Sequence, residues 1–291
     1  MNDFINPMLK SEDDDRDFIF SSSNLSTGKV AGTLDLRPDL MPVRNQGSQG
    51  TCFAQSSACM KEWQERKNHG FDDYFSPQFM YNQRDNKYDH DQKNDEGMYG
   101  RNVMKLLRNI GICKEKEYPY GKIEHKDNIP KELFEKAKVN IIASYASIHK
   151  IDDLKLSLNK NGPALICFPV YNYTGQLWIQ REGDSFRGGH AMTVVGYNEK
   201  GFIIRNSWGQ SWNDKGYTIY QYENWGKHWE IWTTVDEKDI FPEPQPEQPE
   251  QPEQPEQPEQ PEQLEQPEQP EQEQPQTIMD CLKFIFTRAF N

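Results

Sequence analysis

A glycine–proline step at Gly162-Pro163 divides this chain into halves of different hydrophobic period, and that change limits the folds open to it. Ahead of it the apolar residues recur at helical spacing. From Cys52 to about Lys67, the residues Cys52, Ser56, Cys59 or Met60, and Trp63 share one face before Gly70 stops the run. "GRNVMKLLRN" presents Val103, Leu106, Leu107 and Ile110 ahead of Gly111, and "IPKELFEKAK" and "KIDDLKLSLNKNGP" predict two shorter helices. After Pro163 the runs "ALICFPVY", "HAMTVVGYN", "GFIIRNSW", "GYTIYQY" and "WEIWTTV" are short, β-branched and aromatic, and broken by Gly and Asn. Helices first and antiparallel strands second predict an α+β fold of two lobes, helical N-terminal and β C-terminal, packed side by side. The cleft between such lobes is where a site is expected.

Both ends of the chain read differently from its body. Residues 242–276 are a Pro-Glu-Gln repeat whose eleven glutamates carry most of the formal charge of −13, leaving −2 elsewhere. A nearly neutral body without a basic stripe gives nucleic-acid binding no support. The three-residue repeat fits an extended polyproline II spacer, or a segment that only solvates. The last fifteen residues, 277–291, place Ile278, Leu282, Ile285, Phe286 and Ala289 on one helical face. They are too short to span a bilayer; docking to a partner or to the body is favoured over a membrane-surface anchor helped by lipidation at Cys281. Residues 1–34 are acidic, with one apolar patch at Phe18-Ile19-Phe20. They read either as a short inhibitory prosegment lying in the cleft or as an unstructured leader. The expected domain lies between, at 35–241.

No basic-then-apolar signal sequence opens the chain and no run reaches transmembrane length. The five cysteines are odd in number, with no CxxC pair and no zinc-like spacing, so free thiols in an intracellular, cytoplasmic setting are expected. No metal or cofactor is called for.

Chemistry concentrates at four positions. Cys52 opens the first helix, where the helix dipole favours a thiolate, although a lone cysteine is more commonly an inert core thiol. His190 begins one strand and Asn206 ends the next, and a tight turn at Asn198–Gly201 brings those ends together. An asparagine carbonyl there can fix the imidazole, with Trp208 roofing the bond. That is nucleophile, base and orienter in Cys-His-Asn form. Gln46, six residues ahead of Cys52, can offer its amide to an oxyanion beside the Cys52 N–H.

These residues stand in motifs that together resemble the papain family of cysteine peptidases, cathepsins included, from about Asp35 to Val235. "LDLRPDLMPVRNQGSQGTCFAQSSA" resembles the segment that opens the mature enzyme. "YFSPQFMYNQ" resembles the helix that follows, and "DEGMYGRNVMKLLRNIGICKEKEYPY" the region of the substrate-binding wall. "HAMTVVGY" and "RNSWGQSWNDKGY" resemble the histidine and asparagine motifs. The resemblance implies a two-lobed fold and a thiol protease, with Cys52 as nucleophile, His190 as general acid–base, Asn206 as orienter and Gln46 as oxyanion donor. It implies substrate contacts at Gly97, Gly189, Trp208 and Trp212, peptide or protein substrates, and a bulky apolar residue two places before the scissile bond. Three positions depart from the pattern: Phe53 follows the nucleophile in place of tryptophan, Thr51 precedes it in place of serine, and Gln49 replaces a disulfide cysteine. The family's long helical prosegment has no counterpart in residues 1–34. A chain of this style, with its repeat tail, is of the kind that large DNA viruses encode.

An endopeptidase is the leading expectation, with an exopeptidase or a catalytically silent peptide-binding homologue as alternatives. Cys59, Cys113 and Cys167 read as core thiols. His69, His90, His125, His149 and His228 read as surface residues, and the acidic run "NKYDHDQKNDEG" as a solvated loop without a calcium-ligand pattern.

Overall fold

The computed structural model describes residues 10–12, 14, 17–21, 30–84 and 97–235, with the backbone of residues 6 and 7. The repeat tail, the C-terminal segment with Cys281, His90 and most of the acidic run lie outside them. Helices α1 (Cys52–His69), α2 (Pro77–Asn82), α3 (Gly100–Asn109) and α4 (Lys131–Ala137) precede α5 (Ile151–Asn161). The main strands follow: β4 (Ala164–Pro169), β5 (Gly188–Tyr197), β6 (Gly201–Arg205), β7 (Tyr217–Gln221) and β8 (Glu230–Val235). With β3 (Ser144–Ser147) they form one antiparallel sheet in the order β3-β8-β4-β5-β6-β7. The α+β expectation holds, and the change of period at Gly162-Pro163 is where α5 hands over to β4.

Helix α1 ends where Gly70 takes φ +67° and returns its N–H to Arg66 O, a conformation that costs a side chain more than glycine. Sequence spacing predicts one buried face; the helix is instead buried on every side from Cys52 to Gln64, Lys61 and Glu62 included. The reason is its place: α2 and α3 cover one side, and β4 and β5 of the sheet the other. Buried charges need partners. Glu62 accepts from Arg44 at 2.6 Å and from the Phe75 N–H at 2.9 Å, and Lys61 pairs with Glu65 at 2.8 Å.

Each lobe has its own core. Phe53, Met60, Phe79, Met104 and Leu107 fill the helical one. In the β lobe, Phe168, Trp178 and Tyr220 pack ring to ring at 4.6–5.1 Å, in one core with Leu154, Leu156 and Leu158 of α5. Gly162 (φ +83°) lets α5 turn tightly into β4, and a Cβ there would lie 2.2 Å from the Trp63 ring, so the lobes close over this glycine.

The N-terminal segment is woven into the sheet. β1 (Asn6–Pro7) runs parallel to Gly188–Gly189 at the start of β5, and β2 (Leu34–Asp35) pairs antiparallel at its far end. Between them, Phe18-Ile19-Phe20 docks on β3: Ser147 N–H donates to Phe18 O at 2.7 Å and Phe20 N–H to Ser147 O at 2.9 Å. This corrects the reading that places the three residues in the cleft. β3 is an edge strand with backbone groups to satisfy, and Phe20, 1% exposed, goes into the β-lobe core.

His228 is also corrected: it is half-buried, its Nδ1 donates to Tyr220 Oη (3.0 Å), whose own proton goes to Asn224 O, and burial brings its pKa down to about 4. Cys59, Cys113 and Cys167 are buried free thiols, as expected. Among the described residues no helix is long and apolar enough to cross a membrane.

Candidate active site

Four segments meet where α1 begins. Cys52 is its first residue, and its Sγ accepts the Ala191 N–H at 3.3 Å. The thiol therefore lies against β5 at the residue after His190. The turn predicted between β5 and β6 is present: Asn198 N–H reaches Gly201 O at 2.9 Å, and Asn198 Oδ1 accepts from Lys200 N–H at 2.9 Å. That tight return carries the chain back so that Asn206, just past β6, stands beside His190.

The two side chains are joined between Nε2 and Oδ1 at 2.7 Å. Asn206 Oδ1 also accepts the Ser207 N–H at 2.7 Å, which identifies it as the carbonyl oxygen. Nε2 must then be the donor, and in the neutral ring the lone pair falls on Nδ1. Nδ1 makes no hydrogen bond within the described residues. Trp208 stacks on the imidazole at 4.4 Å and 25°, and Trp212 meets Trp208 edge-on at 5.7 Å while its indole N–H donates to Tyr173 O at 2.9 Å. Enclosed this way, His190 loses its hydration, and desolvation brings its pKa down to about 4, against the opposing pull of Asn206.

Gln46 is buried and fixed at both ends of its amide. Its Nε2 donates to Gln49 O at 2.8 Å, its Oε1 accepts from Ser207 Oγ at 2.6 Å, and its own N–H reaches Ser207 O at 2.8 Å. Gly189 lies between β4 and β1 directly before His190. Gly97 (φ +77°) gives its N–H to Tyr81 Oη at 3.1 Å on the helical lobe.

Cys52, His190, Asn206, Gln46 and Trp208 are thus brought together, with Trp212 joined through Trp208. Sequence reasoning missed Ser207, although it adjoins Asn206, and it missed Tyr120, whose hydroxyl meets the Gln46 carbonyl at 2.7 Å across the fold. No short-range pattern marks a contact spanning that separation. Nor was β1 foreseen. Cys52 and His190 are both 0% exposed.

Residues 30–235 match the model of the papain family of cysteine proteases. An uncharacterized peptidase C1-like protein of Acanthamoeba polyphaga mimivirus is 26% identical over 250 residues, covering 74% of this chain and 80% of its own. A cathepsin L-like proteinase of Phaedon cochleariae is 28% identical over 207 residues, 67% of this chain and 61% of its own. Among solved structures, xylellain, a cysteine protease from Xylella fastidiosa, superposes with TM-score 0.67 at 27% identity, over 79% of this chain and 95% of that one. Digestive procathepsin L 3 of Tenebrio molitor shares the fold at TM-score 0.59 and 18% identity, covering 80% of this chain and 77% of its own. With a fold and a domain match of this extent, the chain belongs to the papain family of cysteine proteases.

Proposed function

We propose that the chain is a thiol endopeptidase that acts through Cys52, His190 and Asn206, with Gln46 as oxyanion donor, and that it is made in a latent form. The observation that carries the reading is the His190 Nε2–Asn206 Oδ1 hydrogen bond at 2.7 Å, from which the tautomer of His190 follows. With Nε2–H committed to Asn206, Nδ1 is the ring position free to take a proton from Cys52. The resulting thiolate attacks the peptide carbonyl, and the negative charge gathers on that oxygen. The Gln46 amide and the Cys52 N–H are the donors assigned to it. The imidazolium then gives its Nδ1 proton to the leaving amine. A water, deprotonated in turn by His190, hydrolyses the thioester and regenerates the thiol.

Latency is supported by β1. β6 pairs with β5 only from Thr193 onward, so the start of β5 keeps an edge for an extended peptide, and β1 takes that edge at Gly188–Gly189. The leader continues past Ser11, which accepts the Arg101 N–H at 3.2 Å, to Phe18 on β3. An open strand edge binds an extended backbone without requiring a chain end, which favours internal cleavage over exopeptidase action. The buried free thiols favour a reducing compartment.

The test is a fluorogenic peptide library, with cleavage products resolved by length, against the full chain and the Cys52→Ala variant. Internal cleavage by the first and none by the second is expected. Equal hydrolysis by both would exclude Cys52 chemistry, and failure of the processed wild-type protein to react with an epoxide thiol inhibitor would indicate a silent homologue.

A further inference from the structure

We propose that Tyr120 is a positioning residue that holds the two oxyanion donors at a fixed separation. The inference rests on the assignment of Gln46 and the Cys52 N–H as those donors. They flank one loop: Gln46 opens it, and Cys52 follows Thr51, which caps α1 with no side-chain cap bond.

The Thr51 side chain is turned elsewhere. Its Oγ1 lies 2.8 Å from Tyr120 Oη, and Tyr120 Oη lies 2.7 Å from Gln46 O. A carbonyl oxygen accepts only, so the single Tyr120 proton goes to Gln46 O. Thr51 Oγ1 must therefore donate to Tyr120 Oη. One phenol oxygen closes the loop, tying the backbone at its first residue to the hydroxyl at its last.

The clasp has a rigid base. Gln49 Nε2 donates to Gly121 O at 3.1 Å, which adds a third tie from the same turn to the middle of the loop. Gly121 N–H donates to Gln78 Oε1 at 3.0 Å, and Asn82 Nδ2 to Lys122 O at 2.9 Å, anchoring the turn on α2. Oxyanion stabilisation needs donors waiting where charge develops, and ångström-scale displacement weakens it steeply. Gln46 Oε1 and its backbone N–H are held from the β lobe by Ser207, whereas its backbone carbonyl is held from the helical lobe by Tyr120. Gln46 as a residue is thus tied to both lobes, with Tyr120 holding its carbonyl on the helical side.

Tyr120→Phe removes one hydroxyl and keeps the ring. The expected result, on processed enzyme, is a fall in kcat of about tenfold or more at nearly constant KM. Affinity for a peptide aldehyde, whose adduct oxygen occupies the oxyanion position, should fall in parallel. The rate of Cys52 alkylation by iodoacetamide, which develops no oxyanion, should stay within about twofold of wild type. Thr51→Val should reproduce the loss, Thr51→Ser should retain activity, and Thr51→Val with Tyr120→Phe should be little worse than either alone.

Unchanged kcat and aldehyde affinity in Tyr120→Phe would overturn the proposal. So would a loss of alkylation and thermal midpoint matching the loss of kcat, because that marks a general loosening of the fold. If wild type hydrolyses no peptide and binds no aldehyde, the failure lies with the peptidase reading itself.

Discussion

At the residue scale the site turns on hydration. His190 has its Nε2 fixed by Asn206 and one face covered by Trp208, and its pKa is brought down to about 4 by burial. In the unfolded chain a histidine titrates at about 6.5. Between those values the unfolded state binds more protons, so this contribution is complete above about pH 6.5 and is lost as pH falls towards 4. For His190 the loss is on the order of 3 kcal/mol, and His228 adds to it with the same sign. Urea unfolding of the Cys52→Ala chain at pH 7 and at pH 4.5 is expected to show a clearly lower midpoint in acid. With His190→Gln, a neutral side chain of similar polarity, the acid deficit should shrink; equal deficits in both would remove His190 from the account.

At the element scale the leader is two structures. β1 touches the sheet through two backbone positions beside His190, whereas Phe18-Ile19-Phe20 forms a strand contact on β3 with Phe20 in the β-lobe core. Phe20→Ala should destabilise the protein by about 3–5 kcal/mol, the usual cost of truncating a buried Phe. Ile19→Ala, at a side chain 60% exposed, should cost little. Chemical denaturation of the two variants checks this, and a comparable loss in both would contradict the docking. The sequence marks this patch as apolar but carries nothing to say that an edge strand awaits it, which is why a place in the cleft and an unstructured leader were the two readings open to it.

At the scale of the whole molecule, the leader joins sites that sequence distance separates. Arg101, at the start of α3, holds it: Nε donates to Asp17 Oδ1 at 2.8 Å, and the backbone N–H to Ser11 Oγ. A chain lacking residues 1–16 keeps the Phe18–Phe20 anchor and loses the β1 pairing at Gly188–Gly189 beside His190. It should hydrolyse peptide substrates without a lag, whereas the full chain should show one that shortens as processing proceeds. Intact-mass spectrometry should find the processed N-terminus ahead of Phe18, and no processing in Cys52→Ala if cleavage is by its own site. A processed form beginning after Phe20 and still stably folded would refute the division of the leader.

Much of the architecture is written in local pattern. Helices α1, α3, α4 and α5, the five main strands and the turn at Asn198 follow from spacing and from Gly and Pro punctuation, because period and backbone preference act over a few residues; α2 was expected only from the family resemblance. The positions of Cys52, His190, Asn206 and Gln46 were legible for the same reason: each sits at the boundary of an element or in a motif. What the sequence left open was decided by contacts between distant segments. The burial of α1 on all sides, the clasp of Tyr120 on Gln46 and Thr51, and the separate destinations of β1 and Phe20 depend on which surfaces meet. Such meetings are fixed by the burial of apolar area and the satisfaction of backbone edges in three dimensions, and a one-dimensional pattern does not encode them locally.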